Sequence, residues 1–241
     1  GMAKDCLWSN AGLLCSISDD NGRTWHRGSS VPSPWWSRGG ASRAPVIELP
    51  GGRLLLACYD RRREEELSVA YIMKSDDGGH RWDYLTTAAD GNQIATPTKC
   101  DEPFLLLTAK GRLICFLRCY GDGGLMRITT SDDLGRTWSE PRETNVWGFP
   151  QAALRLPDQR IMLAYGYRRE PYGVRAKLLS PDCDDVNVAE EVILREDGVS
   201  RDLGYPSLVT LEDGNILVAY YMCCEDGVRH IAGTVVNPED T

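Results

Sequence analysis

Arginine, carboxylate and tyrosine side chains stand beside the apolar runs of this sequence at regular intervals. They comprise Arg43, Asp60, Arg61, Arg62, Arg63, Glu64, Glu65 and Glu66, then Asp101, Glu102, Arg118, Tyr120 and Asp122, then Tyr167, Arg168, Arg169 and Glu170, and finally Arg201, Asp202, Tyr205, Tyr221, Glu225 and Asp226. The planar guanidinium of Arg binds a carboxylate through two parallel hydrogen bonds. Several Arg side chains that converge from different segments would therefore bind an anion. The run at 61–66 has an alternative interpretation, a solvated loop of mutual ion pairs that contributes little to stability.

A short repeated pattern indicates which elements position these side chains. Ser-x-Asp-x-Gly-x-Thr/Arg-Trp occupies residues 18–25, 75–82 and 131–138, and a degenerate fourth copy begins at Ser180. Self-similarity at a period near fifty residues is typical of a solenoid or a propeller. Asp side chains bond nearby backbone amides and Gly supplies a positive φ, so each copy predicts a structural turn. A calcium loop is the less favoured interpretation, because carboxylates are few and EF-hand spacing is absent.

A second pattern runs in phase with the first and predicts the fold. Apolar hairpins occupy residues 45–59, 103–117, 150–165 and 206–220, and each is followed by a third apolar run. Each repeat therefore predicts a four-stranded antiparallel meander, which is a propeller blade. We expect one all-β propeller domain over residues 1–241 with almost no helix. It has a partial half-blade at 1–40 and blades that start near residues 43, 102, 149 and 205, about four and a half blades in all.

Strand order predicts which residues share a face. The residues before the first strand and after the second strand of a blade lie on one rim, whereas the Asp turn between strands three and four lies on the opposite face. The chemistry-bearing side chains should therefore meet around one concave mouth, where ligand sites form on a rigid frame. Trp25, Trp82 and Trp138 should lie far from that mouth.

Composition excludes some partners and leaves others open. The net charge of −8 and the pI near 5.0 argue against nucleic acid as a partner. No apolar run of 18 residues occurs, so no membrane span is expected, and no cofactor or metal motif is present. The nine cysteines show no paired CxxC spacing, and their odd number favours reduced thiols. No signal peptide is visible and the localisation stays open.

Closure of the ring is the main structural question that the repeats raise. The half-blade at 1–40 could supply the outer strands of a ring-closing blade, or one to two blades could be missing. Open blades expose sheet edges, so a homodimer through such edges is a further expectation.

The repeats and rim residues together resemble the sialidase (neuraminidase) superfamily with its BNR or Asp-box repeats. Sialidases carry an Arg two residues before a Pro at a blade start, which residues 42–45 resemble. Glu102 and Arg118 resemble a Glu and Arg pair of that family by spacing, and residues 204–207 resemble the segment that carries its nucleophilic Tyr. In sialidases other blades separate the first Arg from the Glu/Arg pair, whereas here the two blades are adjacent.

The resemblance implies a retaining hydrolysis that releases terminal sialic acid or a similar acidic sugar from a glycan. Tyr205 would be the nucleophile, assisted by Glu102, and the acid would be one of Asp60, Glu65 or Glu66, with Asp60 preferred. The implied substrate-binding residues are Arg43, Arg62, Arg118, Arg168 and Arg169. The first alternative is a non-catalytic glycan- or protein-binding Asp-box propeller that has lost the acid/base residue. The second is a hydrolase or lyase of another sugar on the same frame.

Overall fold

The computed structural model describes residues 12–35, 40–120, 123–223, 225 and 227–240, and every regular element in them is a β-strand. A two-stranded sheet comes first, with β1 (Leu13–Ile17) and β2 (His26–Val31). No helix in the described part of the chain is long and apolar enough to cross a membrane.

Four antiparallel meanders follow the hairpin, each with its strands in chain order. Blade I contains β3 (Ile47–Glu48), β4 (Leu54–Asp60), β5 (Val69–Ser75) and β6 (Asp83–Asp90). Blade II contains β7 (Lys99–Leu107), β8 (Leu113–Tyr120), β9 (Leu125–Ser131) and β10 (Arg142–Trp147). Blade III contains β11 (Gln151–Arg155), β12 (Ile161–Tyr167), β13 (Tyr172–Leu179) and β14 (Glu191–Gly198). Blade IV contains β15 (Gly204–Thr210), β16 (Ile216–Cys223) and β17 (Arg229–Val236). The predicted all-β propeller is confirmed.

The hydrophobic core lies between neighbouring sheets. Because successive side chains of a strand point to opposite faces, one strand serves two interfaces. In β8, Cys115 packs in the cluster between blades I and II, whereas the next residue, Phe116, packs between blades II and III. Both are fully buried. Blades III and IV share a third cluster, and the β1–β2 hairpin packs on blade I.

Blade IV buries one face against blade III and exposes apolar side chains on the other. Val209, Ile231 and Val235 are 51, 77 and 57% exposed. No other described segment covers these three side chains, and dimerisation through an open blade stays a prediction.

The Asp turns form three closely similar clamps. In the third, Ser131 Oγ donates to Asp133 Oδ1 (2.8 Å), Gly135 N donates to Ser131 Oγ (2.9 Å) and Trp138 Nε1 donates to Gly135 O (3.1 Å). The first and second copies repeat these bonds. The clamps therefore join strands through short-range hydrogen bonds, as the structural interpretation predicts.

The degenerate fourth copy is built differently. Asp185, rather than Asp182, accepts two hydrogen bonds from the Ser180 amide (2.9 and 3.0 Å). The buried Lys177 ammonium donates to the carbonyls of Val186 (3.0 Å) and Ala189 (2.9 Å). In this repeat, which lacks the Gly and the Trp, a loop whose carbonyls bind the Lys177 ammonium replaces the clamp.

The clamps and the rim lie at opposite ends of the blades, in agreement with the predicted faces. In blade I, Ser75 at the Asp turn pairs with Leu54, which begins β4, whereas Asp60, which ends β4, pairs with Val69. The strands thus separate the Asp turns from the end that carries the chemistry.

Candidate active site

Glu102 and Tyr205 occupy equivalent positions on the inner strands β7 and β15, each directly before a proline. Both residues have positive φ, 44° for Glu102 and 51° for Tyr205. The register shifts beside each of them, between Asp101 and Phe104 in β7 and between Gly204 and Ser207 in β15. Such bulges re-aim side chains near functional sites. A non-glycine residue at positive φ costs on the order of 1–3 kcal/mol, so this shared strain itself suggests a functional position.

A hydrogen-bonded chain joins three of the predicted site residues. Tyr205 Oη donates to Glu102 Oε1, and Arg118 Nη1 donates to Glu102 Oε2 at 2.7 Å. The Glu102 and Arg118 side chains are 9 and 10% exposed. Both carboxylate oxygens of Glu102 are therefore engaged in a largely desolvated setting, where charge-assisted hydrogen bonds are strong.

The phenol of Tyr205 is held in its protonated form. Burial raises its pKa above the usual range, and the hydrogen bond to Glu102 and the charge of that carboxylate act in the same direction. Arg118 and Arg168 oppose the rise. The raised pKa opposes loss of the Tyr205 proton to solvent, and the acceptor of the Tyr205 hydroxyl hydrogen bond is Glu102 Oε1.

Arg43 and Arg168 flank the Tyr205 ring. Their guanidinium carbons lie 5.2 and 5.7 Å from the ring centroid. Arg43, from blade I, donates to the backbone carbonyls of Gln151 in blade III and Pro206 in blade IV, the second at 2.9 Å. Arg168 donates through Nε to Leu203 O at 3.0 Å. Backbone carbonyls thus fix both guanidiniums beside the phenol.

Several buried N–H groups around this mouth have no hydrogen-bond partner among the described residues. They are Nε of Arg43, Nε of Arg118 and Nη2 of Arg168. An unsatisfied buried donor costs about 1–3 kcal/mol and more when charged. A cavity of about 550 Å³ is lined by Arg43, Phe104, Ala153, Tyr205 and Ser207 among others. The site combines a phenol, a buried carboxylate and guanidinium groups.

Comparison with known proteins gives the family. The sequence profile of the BNR repeat-like domain family matches residues 6–218. The chain belongs to the BNR repeat-like domain family. A comparison with curated proteins finds no match.

Solved structures show how this BNR-repeat propeller compares in shape. A protein of unknown function from Dyadobacter fermentans DSM 18053 is 33% identical with a TM-score of 0.87, over 94% of this chain and 64% of that one. The chain thus spans less than two thirds of that relative. A Hadza microbial sialidase is 22% identical (TM-score 0.64; 94% of this chain, 44% of that one). A Penicillium chrysogenum α-L-arabinanase is 18% identical (TM-score 0.62; 95 and 87%). The last two share the fold.

Two of the predicted substrate-binding arginines have other contacts in the BNR-repeat propeller. Arg62 donates to Asp90 and lies 5.3 Å from the Trp35 ring centroid. Arg169 lies 3.8 Å from the Trp147 ring centroid and donates to Gly123 O at 3.3 Å. Neither contact involves the Tyr205–Glu102 pair, and a role in binding substrate stays a prediction for both.

Asp60, the predicted acid, is tied to its own loop. Its Oδ2 accepts from Ser33 Oγ (2.8 Å) and Gly40 N (3.1 Å), and its Oδ1 accepts from Arg61 N (2.7 Å). The residue is 7% exposed. Ser33 and Gly40 lie on either side of residues 36–39, which are outside the described ranges. The hydrogen bonds to Asp60 hold both residues against blade I.

Other side chains around the mouth had no assigned role in the sequence analysis. The Tyr221 ring packs 5.9 Å from that of Tyr205, and its hydroxyl donates to Asp202 Oδ1 (2.5 Å). Arg229 Nε donates to Asp202 Oδ2 (3.0 Å). Tyr59 and Asp101 lie beside Glu102. Asp101 is identifiable in sequence as the neighbour of Glu102, whereas Tyr59 carries no signal beyond its place at a strand end.

No metal centre is indicated in the described ranges, which contain no group of three or more His, Cys, Asp or Glu side chains placed to hold an ion.

Proposed function

We propose that this BNR-repeat propeller is a glycoside hydrolase that releases a terminal sialic acid, or a similar acidic sugar, from a glycan with retention of configuration. The observation that carries the proposal is the hydrogen-bonded chain from Tyr205 through Glu102 to Arg118. A phenol paired with a buried carboxylate is the arrangement of a nucleophile with its base. Tyr205 as a residue is 39% exposed and lines the cavity of about 550 Å³, from which a substrate would approach it.

The first step joins the sugar to the enzyme. As Tyr205 Oη bonds to the anomeric carbon, its proton passes to Glu102 Oε1. The bond from that carbon to the leaving-group oxygen breaks, and a second carboxyl group protonates that oxygen. Arg118 stays paired with Glu102 and limits the cost of moving charge within the buried pair.

The second step frees the sugar. Water attacks the anomeric carbon from the side that the leaving group has vacated, and the second carboxylate takes the proton of that water. The bond from the carbon to Tyr205 Oη breaks, and Glu102 returns its proton to the phenolate. Two inversions give overall retention.

An acidic sugar fits this site better than a neutral one. A carboxylate nucleophile would be repelled by a substrate that carries a carboxylate at its anomeric carbon, whereas a protonated Tyr205 is not. Arg43 and Arg168 lie beside the phenol and, together with Arg118, supply N–H groups that have no partner among the described residues. These groups are suited to the bidentate binding of a sugar carboxylate.

The fold relatives include both a sialidase and an α-L-arabinanase. We therefore test purified protein with fluorogenic aryl sialosides and aryl α-L-arabinofuranosides, and compare wild type with Tyr205→Phe. We expect turnover of the sialoside, and a loss of at least about 10³-fold in kcat/KM on removal of the phenolic oxygen. Turnover of the arabinoside alone would redirect the proposal to neutral sugars. Binding of a sialylated glycan without turnover would favour a glycan-binding module.

A further inference from the structure

We propose that Asp101, rather than Asp60, is the proton donor of this site, and that the cavity between blades I and II receives the leaving group. This inference rests on the proposed glycosidase function and deepens it. It begins from a second cavity of about 220 Å³, which Tyr59, Asp60, Ser68 and Asp101 line together with the chain at 40–41. Two carboxyl groups therefore compete for one role in one cavity.

Asp60 is engaged in contacts that hold the local structure. Among the described residues, its oxygens accept hydrogen bonds from Ser33 Oγ and from the backbone N–H groups of Gly40 and Arg61. A substrate that drew the Asp60 carboxyl group into the reaction would have to break bonds that hold the chain at 33 and 40 against blade I.

Asp101 has the opposite surroundings. It is partly exposed to the cavity, and burial is the largest influence on it and raises its pKa, an effect that the charge of Glu102 reinforces. The Ser68 hydroxyl, Lys99 and Arg118 act against this rise. Ser68 is 2% exposed and lines the same cavity, and its hydroxyl has no hydrogen-bond partner among the described residues. The cavity thus presents a carboxyl group that is protonated more readily than a solvated Asp.

Asp101 lies next to the Tyr205–Glu102–Arg118 chain as well as in this cavity. It directly precedes Glu102 in the sequence and pairs across the strands with Arg118. Tyr59, which also lines the cavity, has its pKa raised by burial first and then by the charges of Glu102, Asp101 and Tyr205. The candidate acid therefore lies at the same end of β7 as the candidate base.

The proton transfers balance with Asp101 in this role. As the glycosidic bond breaks, the Asp101 proton moves to the departing oxygen and the carboxylate is left facing Lys99 and Arg118. In the second step that carboxylate takes a proton from the attacking water and is restored. Glu102 and Tyr205 exchange their own proton separately.

Leaving-group dependence tests the assignment. The substrates are sialyllactose, whose alcohol departs only when protonated, and p-nitrophenyl sialoside, whose phenolate departs unaided. Because general acid catalysis contributes about 10²–10⁴-fold, Asp101→Asn should lose at least about 10²-fold in kcat/KM on sialyllactose and less than about 10-fold on the aryl sialoside. The matched variant Asp60→Asn should lose activity on both substrates by a similar factor. The inference would be overturned if Asp101→Asn lost kcat/KM equally on both substrates. It would also be overturned if Asp60→Asn, rather than Asp101→Asn, lost kcat/KM selectively on sialyllactose.

A pH profile keeps the test decisive if Asp101→Asn does not fold. The titratable and charged groups around Asp101 are Lys99, Glu102 and Arg118, the phenols of Tyr59 and Tyr120, and Asp60 and Arg61 across the cavity. Removal of the Ser68 hydroxyl raises the pKa of Asp101, so Ser68→Ala should move the alkaline limb of kcat/KM for sialyllactose to higher pH. If the alkaline limb of kcat/KM does not move in Ser68→Ala, the group that donates the proton to the leaving group is not Asp101. Absence of turnover of either substrate by wild type would overturn the proposed function itself, whereas failures confined to the variants overturn only Asp101.

Discussion

The phenolic hydroxyl of Tyr205 in blade IV donates a hydrogen bond to the carboxylate of Glu102 in blade II, 103 residues away in sequence. The two side chains meet because each precedes a proline at a bulged start of an inner strand, with φ in the left-handed region. Equivalent local distortions in two repeats thus produce one pair.

Glu102→Gln should separate catalysis from folding. The amide keeps the shape of Glu102 but cannot accept the proton of Tyr205, so we expect kcat to fall at least about 10²-fold in the aryl sialoside assay. The loss should persist at every pH, because no titration restores the base. A variant with wild-type kcat would remove Glu102 from its role as base.

Arg118→Met should destabilise the protein strongly. It leaves the buried carboxylate of Glu102 without its ionic partner, and breaking such a pair typically costs about 3–5 kcal/mol. The matched control is Arg112→Met in the same strand region, whose pair with Asp132 is 35 and 68% exposed. That change should cost about 0–1 kcal/mol. Urea unfolding measures both, and equal costs would contradict the burial argument.

The Asp clamps predict a loss of stability in acid. Hydrogen bonds from Thr24 lower the pKa of Asp20 to about 2, and bonds from Thr137 lower that of Asp133. Because the folded-state pKa lies below the unfolded value, this stabilisation is complete above about pH 4 and disappears as the pH falls through the folded pKa. Urea unfolding at pH 5 and at pH 2 measures the effect. Between these two pH values, the free energy of unfolding should fall less for Asp133→Asn than for wild type. Parallel curves for the two proteins would refute the prediction.

Gly135→Val should lower stability without changing the chemistry. The glycine has φ +84°, and a Cβ there would lie 3.2 Å from Leu113 Cδ1. We expect a cost of about 1–3 kcal/mol in the free energy of unfolding. The clamp lies at the end of blade II remote from Tyr205, so kcat/KM of the folded fraction should stay at the wild-type value. A specific loss of activity would show that the two ends of the blade are coupled.

The sequence was sufficient to predict the blades, because apolar runs and Asp turns repeat in phase and each repeat can bury its faces only against a neighbour. The sequence also predicted that Glu102, Arg118 and Tyr205 lie close together, because strand order alone decides which ends of the strands share a rim.

The directions of loop side chains could not be predicted in this way. Arg62 and Arg169 belong to the rim by strand order, yet one contacts Asp90 and the other stacks on Trp147. Those contacts depend on loop conformations that no repeat specifies. The cavity beside Asp101 likewise depends on Ser68 and Tyr59 of the neighbouring blade, and no repeated pattern in the sequence relates these residues.

Arg43 has a mechanical consequence for the whole mouth. One guanidinium from blade I donates hydrogen bonds to backbone carbonyls of blades III and IV, so neither of those blades can tilt away from blade I without breaking one of these bonds. A tilt of blade III or blade IV is therefore coupled to the position of blade I. Amides of the inner strands should exchange with deuterium as one cooperative unit.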